Sequence, residues 1–179
     1  KVKLNIEDIL KRLGMPFAQF HIEVENSNQF DINGNTSLRF MFSANKGGDI
    51  QELSRVASGG ELSRLMLAIK YITAKESRID TLIFDEIDAG ISGEIASLMG
   101  DMMRNISNSN QLIAISHLPQ IASKSKTHLK VVKKIINNQT VSLVKSLDQQ
   151  ERINEIAQLL SGKALTEAAI NNAKELLNQ

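Results

Sequence analysis

The chain contains no cysteine. Disulfides and thiolate metal sites are therefore excluded, and a reducing compartment is the natural expectation. No apolar run approaches the roughly 20 residues needed to cross a bilayer, and no signal-peptide pattern is visible, so a soluble intracellular protein is expected. Charge of one sign is also missing. The 21 basic and 20 acidic side chains leave a net charge of +1, so any binding to nucleic acid has to come from a local patch. There is no internal repeat and no low-complexity tract. The 179 residues suit one domain, or a large part of one, with a real core.

Periodicity places the elements that are present. IEDILKRL, from Ile6 to Leu13, reads as the last turns of a helix stopped by Gly14 and Pro16. AQFHIEVEN alternates Phe20, Ile22 and Val24 with polar neighbours, as a half-buried strand does. FDINGNTSLRFMFSAN adds one or two strands, with a turn at Asn33-Gly34. A loop at Lys46-Gly47-Gly48-Asp49 closes this small antiparallel region. Helix and strand then alternate. A helix from about Gly60 to Ala74 precedes TLIFDE, whose apolar run predicts a fully buried strand. Ser92 is placed to cap a helix running through Met103, and QLIAIS predicts a second buried strand. THLKVVKKIINNQTVSLVKSL reads as a hairpin turning at Asn137-Asn138-Gln139, followed from about Gln149 by two helical pieces that part near Ser161-Gly162. The strand-helix-strand order in the middle implies parallel pairing, with antiparallel strands at the edges.

The stretch VASGGELSRLMLAIK, Val56 to Lys70, opens a helix with two glycines. Ser58 and Glu61 fit a capping box, and Leu62, Leu65, Met66 and Ile69 give one apolar face. Capping does not account for Gly59 and Gly60. Bare N–H groups at a helix start, aided by the helix dipole, offer a place for an anion, and glycine is also tolerated near caps. Both readings stand at this point.

Chemistry-bearing residues also end the two apolar runs. TLIFDE delivers Asp85 and Glu86, and QLIAIS delivers Ser116 and His117. Ligands of parallel sheets lie beyond the carboxyl ends of the strands. Successive side chains of a strand point to opposite sides, so the two carboxylates suit different tasks. An Asp there is a hard-oxygen ligand for magnesium, and the adjacent Glu can orient or deprotonate a water attacking a phosphate. The plainer alternative is two carboxylates leaving the core. His117 alone carries little; its weight comes from following the glycine-led helix and the Asp-Glu strand in that order.

With those residues in place, the sequence resembles the second half of an ABC-type ATPase head. ASGGE (Ala57 to Glu61) looks like the signature motif, TLIFDE like the Walker B strand, AGIS (Ala89 to Ser92) like the D-loop, and ISHLPQIAS like the switch-histidine region. FSANKGGDIQELSRVASGGELSRLMLAIK and FDEIDAGISGEIA are most similar to the SMC-like branch that acts in bacterial DNA double-strand break repair. The resemblance continues into ERINEIAQLLSGKALTEAAINNAKELL and covers nearly the whole chain. It implies an α/β fold: the C-terminal lobe of an ABC/SMC-type head, a parallel sheet core flanked by helices with antiparallel edge strands. It implies that Ser58, Gly59, Gly60 and Glu61 reach the γ-phosphate of ATP on a partner head. By the same resemblance Asp85 holds Mg2+, Glu86 is the general base, His117 contacts the γ-phosphate, and Asp88, Ala89 and Gly90 lie on the dimer interface. Many transporters have glutamine where Glu61 stands, whereas SMC-like heads commonly have glutamate.

One departure matters more than any match. No G-x-x-x-x-G-K-[ST] occurs. LSGKAL is a decoy, because Gly162-Lys163 is followed by Ala164 and Ala157 occupies the place of the first glycine. The resemblance then implies that the phosphate cradle belongs to an N-terminal Walker A lobe joined through a coiled coil. Residues 1–14 would be the end of the returning coiled-coil helix and residues 15–179 the C-terminal lobe. Alone, such a lobe is expected to be inactive as an ATP hydrolase and to expose apolar surface that drives self-association. The expected partners are the Walker A lobe, a second head and DNA, with no membrane, in the cytoplasm at the nucleoid. Lys124, Lys126, Lys130, Lys133 and Lys134 form a basic stretch that either contacts DNA phosphates or is solvated surface. The competing expectation is the nucleotide-binding subunit of an ABC transporter.

Overall fold

A computed structural model describes the chain except residues 33, 56, 57, 77, 78, 137, 163, 164 and 179. It forms two compact units, residues 1–115 and 116–179.

The first unit opens with α1 (Val2–Arg12), which buries Ile6, Ile9 and Leu10. Lys11 and Arg12 occupy its last turn, where the negative end of the helix dipole favours cations. The helix ends as the glycine predicts. Gly14 adopts φ 77°; its N–H donates to the Lys11 carbonyl at 3.1 Å, and the Met15 N–H to the Leu10 carbonyl at 2.9 Å. This is the Schellman arrangement, which a side chain at Gly14 would strain.

β1 (Gln19–Asp31) and β2 (Gly34–Ser43) form a long antiparallel hairpin, and β3 (Gln51–Glu52) pairs briefly with β2. Asn33 of the expected turn lies outside the described residues; Asp31 pairs with Gly34. One face carries the pairs Phe20–Phe42, Ile22–Phe40 and Val24–Leu38. The other carries Glu23 opposite Arg39, which also bonds Glu25. The half-buried expectation holds only at the root: Phe20 and Phe42 are buried, whereas Val24 is 61% exposed. Beyond Phe40 the apolar face is exposed at Val24 and Leu38.

A 3-10 turn at Leu53–Arg55 leads toward α2 (Gly59–Glu76). The sequence stripe of Leu62, Leu65, Met66 and Ile69 is only partly right, since the fully buried positions are Leu65, Leu67 and Ala68 and Met66 is exposed. The helix packs against both α1 and α3, so burial spreads over two sides. Met66 faces an open groove with Leu62, Lys70, Ile79 and Ile83.

β4 (Thr81–Asp85) and β5 (Gln111–Ile115) pair in parallel, as expected, across the connecting α3 (Gly93–Ile106). Ser92 stands at the N-cap of α3, but its side chain makes no capping bond. Neither strand is fully buried, which corrects the reading of both apolar runs. β4 buries Leu82 and Phe84 while Ile83 is 66% exposed, and on β5 Ile115 is 53% exposed. Among the described residues this sheet has only two strands, and its face carrying Ile83, Ile113 and Ile115 is exposed.

The second unit holds α4 (Pro119–Ala122), the hairpin β6 (Leu129–Ile136) and β7 (Gln139–Ser146), α5 (Gln149–Ser161) and α6 (Glu167–Leu177). Ile136 pairs with Gln139 and Asn138 takes φ 62°; Asn137 lies outside the described residues. Asp148 and Glu151 form a full capping box at α5, and Thr166 caps α6 through the Ala169 N–H. Ile156, Ala157, Ala169 and Ala173 make the core between these helices. No helix among the described residues is long and apolar enough to cross a membrane.

Candidate functional site

The first unit gathers most of the residues singled out in the sequence. β4 runs out at Asp85, and Glu86 turns the chain with φ 49°, a left-handed conformation unusual for a residue with a side chain. Two turns follow. The Ala89 N–H donates to the Glu86 carbonyl at 3.2 Å and the Ile91 N–H to the Asp88 carbonyl at 3.3 Å, with Gly90 at φ 72°. Because the chain leaves the strand at Glu86, Asp85 and Glu86 both stay exposed while Ile87 and Asp88 turn inward. Asp88 is only 1% exposed, so Ala89 and Gly90 are the parts of this turn that face outward.

The first turn of α2 lies directly against it. A Cβ at Gly60 would sit 3.2 Å from each of the Ala89 and Gly90 carbonyl oxygens, whereas a Cβ at Gly59 would meet nothing within 4 Å. The two glycines therefore answer to different constraints. Gly60 is small because the 88–90 turn passes close by, and Gly59 is small where the fold imposes no such demand. Ser58 and Gly59 are exposed, Glu61 is half-buried, and the Leu62 N–H already donates to the Ser58 carbonyl at 3.0 Å. Ala57, the first residue of the signature-like stretch, lies outside the described residues, as do Lys163 and Ala164 of LSGKAL.

His117 belongs to the second unit. It is exposed, and beside it the Leu118 N–H donates to Ser116 Oγ at 3.1 Å. The basic stretch does not form one patch. Lys130 is ion-paired with Glu155, and Lys133 and Lys134 are adjacent on β6 and so project to opposite faces of the hairpin. Nearby, His128 has its pKa lowered by burial and by the Arg152 charge, partly offset by Glu155.

Sequence reasoning missed Arg64. Its Nε donates to the Gly60 carbonyl at 3.0 Å and its Nη1 to the Leu13 carbonyl at 3.1 Å. The i to i+4 spacing within α2 is visible in the sequence; the second acceptor, 51 residues away, is not. No group of three or more His, Asp or Glu among the described residues is arranged to hold a metal. Asp85 thus offers one hard-oxygen ligand, which suits a magnesium ion completed by water and phosphate and does not suit a protein-caged ion.

No family model matches the chain. Its fold is that of an SMC ATPase head. The SMC head domain of Pyrococcus yayanosii superposes with a TM-score of 0.70 at 20% identity, covering 91% of this chain and 29% of that one. A Pyrococcus furiosus SMC head bound to the C-terminal domain of ScpA gives 0.63 at 21% identity, covering 89% and 38%. Within that class the sequence is RecN-like over nearly its whole length. It is 42% identical to DNA repair protein RecN of Vibrio cholerae over 173 residues, 96% of this chain and 31% of that protein. It is 39% identical to the Haemophilus influenzae protein over 175 residues, 97% and 31%. The chain therefore spans about a third of the length of these relatives. The transporter reading is not favoured, because the relatives matched in sequence are DNA repair proteins.

Proposed function

We propose that the chain is the signature and Walker B lobe of a RecN-like ATPase head, using ATP to join two heads and hydrolysis to release them during DNA double-strand break repair. The observation that carries this reading is the convergence, in one compact unit, of the bare first turn of α2, the Asp85-Glu86 strand end and the 88–90 turn.

Ser58, Gly59 and Gly60 would present N–H groups, with the helix dipole behind them, to the γ-phosphate of a nucleotide on the partner head. Glu61 adds its side chain to the same turn. Ala89 and Gly90, with Asp88 anchoring them from inside, would meet the partner across the interface. Magnesium bound with the nucleotide supplies charge neutralisation on the phosphates, and Asp85 would hold it. Glu86 would orient the attacking water and take its proton, and His117 would contact the γ-phosphate. The β-phosphate cradle would come from a Walker A lobe, with residues 1–14 as the returning helix and residues 15–179 as this lobe. Support comes from the absence of a P-loop in the sequence and from the uncovered apolar face of β4 and β5. The setting would be the cytoplasm at the nucleoid. Any DNA contact in this chain would come from Lys124, Lys126, Lys133 or Lys134, since Lys130 is already paired with Glu155.

The test is ATP hydrolysis by the chain alone, by the chain mixed with a Walker A lobe, and by the same mixture carrying Glu86→Gln. Activity is expected only in the unmutated mixture. A Glu86→Gln mixture as active as its parent would falsify the assignment of the base.

A further inference from the structure

The C-terminal end of α1 is clasped by both helices that flank the site. Its Schellman closure uses the Leu10 and Lys11 carbonyls, and the Leu13 carbonyl accepts from Arg64 Nη1 at 3.1 Å. The same guanidinium donates through Nε to the Gly60 carbonyl at 3.0 Å. On the other side, a Cβ at Gly14 would lie 2.6 Å from Ile95 Cδ1 of α3 and 3.7 Å from Arg64 Nη1. Gly60 in turn abuts the Ala89 and Gly90 carbonyls at a distance that tolerates no side chain without movement. One cation therefore links the end of α1, the first turn of α2 and, through Gly60, the turn that precedes α3.

The geometry points to Arg64 as a positioning residue for hydrolysis: it fixes the direction in which the Ser58–Glu61 turn is presented to the phosphate by tying that turn to the end of α1. This rests on the reading of Ser58–Glu61 as the phosphate-facing turn. Guanidinium suits the task because its planar fork serves two carbonyls at once from one rigid group, which an ammonium on a flexible stem does not reproduce. The charge also complements the carbonyl end of α1. Arg64 touches no reacting atom. It acts through the backbone of Gly60, and a misplacement of about 1 Å from a mutation far from the chemistry can cost about 100-fold in rate.

The experiment uses the full-length RecN-like protein that carries this segment, with Arg64→Ala, Arg64→Lys and, as a reference, Glu86→Gln. ATP hydrolysis is followed against ATP concentration, alongside the thermal unfolding midpoint. Arg64→Ala is expected to lower kcat by about 10- to 100-fold while KM for ATP stays within about threefold. Arg64→Lys keeps the charge and is expected to fold with an unchanged midpoint, yet to recover only part of kcat, because its single nitrogen on a flexible stem lacks the rigid fork that holds both carbonyls from separate nitrogens. Full kcat in Arg64→Lys, or a loss in either variant that simply follows the unfolded fraction, overturns the inference. Wild-type kcat in Arg64→Ala beside an inactive Glu86→Gln overturns it alone. Full activity in Glu86→Gln overturns the reading of the site and the inference with it.

Discussion

Gly59 and Gly60 are neighbours in one helical turn, and alanine should separate their roles. At Gly59 an added Cβ meets nothing within 4 Å. The backbone there has no positive φ, so alanine enters without strain. Replacing glycine at a compatible position stabilises a protein by about 0.4–1 kcal/mol, chiefly by restricting the unfolded chain. Gly59→Ala is therefore expected to raise the urea midpoint slightly. At Gly60 the same gain is opposed by two carbonyl oxygens at 3.2 Å. Those oxygens belong to a turn anchored by the buried Ile87 and Asp88, so relief requires backbone movement. Overpacking of this kind costs roughly 1–3 kcal/mol, and Gly60→Ala should come out about 1 kcal/mol less stable than the parent.

Activity should not follow stability. If the bare backbone at Gly59 exists for a phosphate arriving from a second head, a methyl group there obstructs the approach. The more stable variant should then be the less active one, with ATP hydrolysis in the assembled head down at least about tenfold, less than the roughly 100- to 1000-fold cost of removing a well-placed donor because the N–H itself remains. The assay pairs urea unfolding of the chain with steady-state hydrolysis by the full-length protein. Gly59→Ala that is both stabilised and within twofold of parental activity would refute the idea that its backbone is kept bare for a ligand. It would leave Gly59 as an ordinary residue of a helix start.

Further expectations come from the rest of the molecule. Asp148→Ala removes one half of the α5 capping box and should cost about 1 kcal/mol in urea unfolding; a change below about 0.3 kcal/mol would mean that the box adds nothing. The isolated chain should self-associate through apolar surface that includes Ile83 and Ile115, and changing both to lysine should lower its apparent mass in light scattering; a parent monomeric across micromolar concentrations counts against this. In the folded state the His128 pKa is lowered from 6.5 by burial and by the Arg152 charge. The unfolded chain then binds more protons, so stability is complete above about pH 6.5, falls as pH drops below it and levels off beneath the folded pKa. His128→Gln should flatten that slope; an unchanged slope would assign it to other groups. Reversing the charge of Lys133 and Lys134 together should weaken DNA binding by the full-length protein and reduce its salt dependence if either contacts phosphate; an unaltered salt slope would place both in solvated surface.

Local rules made most elements legible. Gly14 ends α1, Asn138 turns the last hairpin, and the break near Gly162 divides the C-terminal helices, because each needs only its own backbone conformation. Burial was less legible. An uninterrupted apolar run such as TLIFDE signals a strand covered on both faces, and here only Leu82 and Phe84 are covered. The pattern in the sequence records what the strand is built to contact; the structure records what one chain supplies. The same mismatch appears along Val24 and Leu38 of the first hairpin, so the discrepancy is systematic and not a misread period.

The site divides along a similar line. Residues whose chemistry shows in their type and order, Asp85, Glu86 and the glycine pair, could be picked out before any fold was known. What could not be read is how they are held. The left-handed turn at Glu86 has no glycine to announce it, and the inward turn of Asp88 depends on it. Arg64 looks like any helix cation until Leu13 is brought beside it by packing of α1 on α2. Chemistry in such a head is written in short stretches, whereas its alignment is set by contacts between stretches far apart in the chain. It follows that substitutions at Asp85 or Glu86 should abolish turnover outright, while those at Arg64 should grade it according to how well the new side chain spans two carbonyls. A variant series at Arg64 ordered by charge alone, with lysine equal to arginine, would contradict that division.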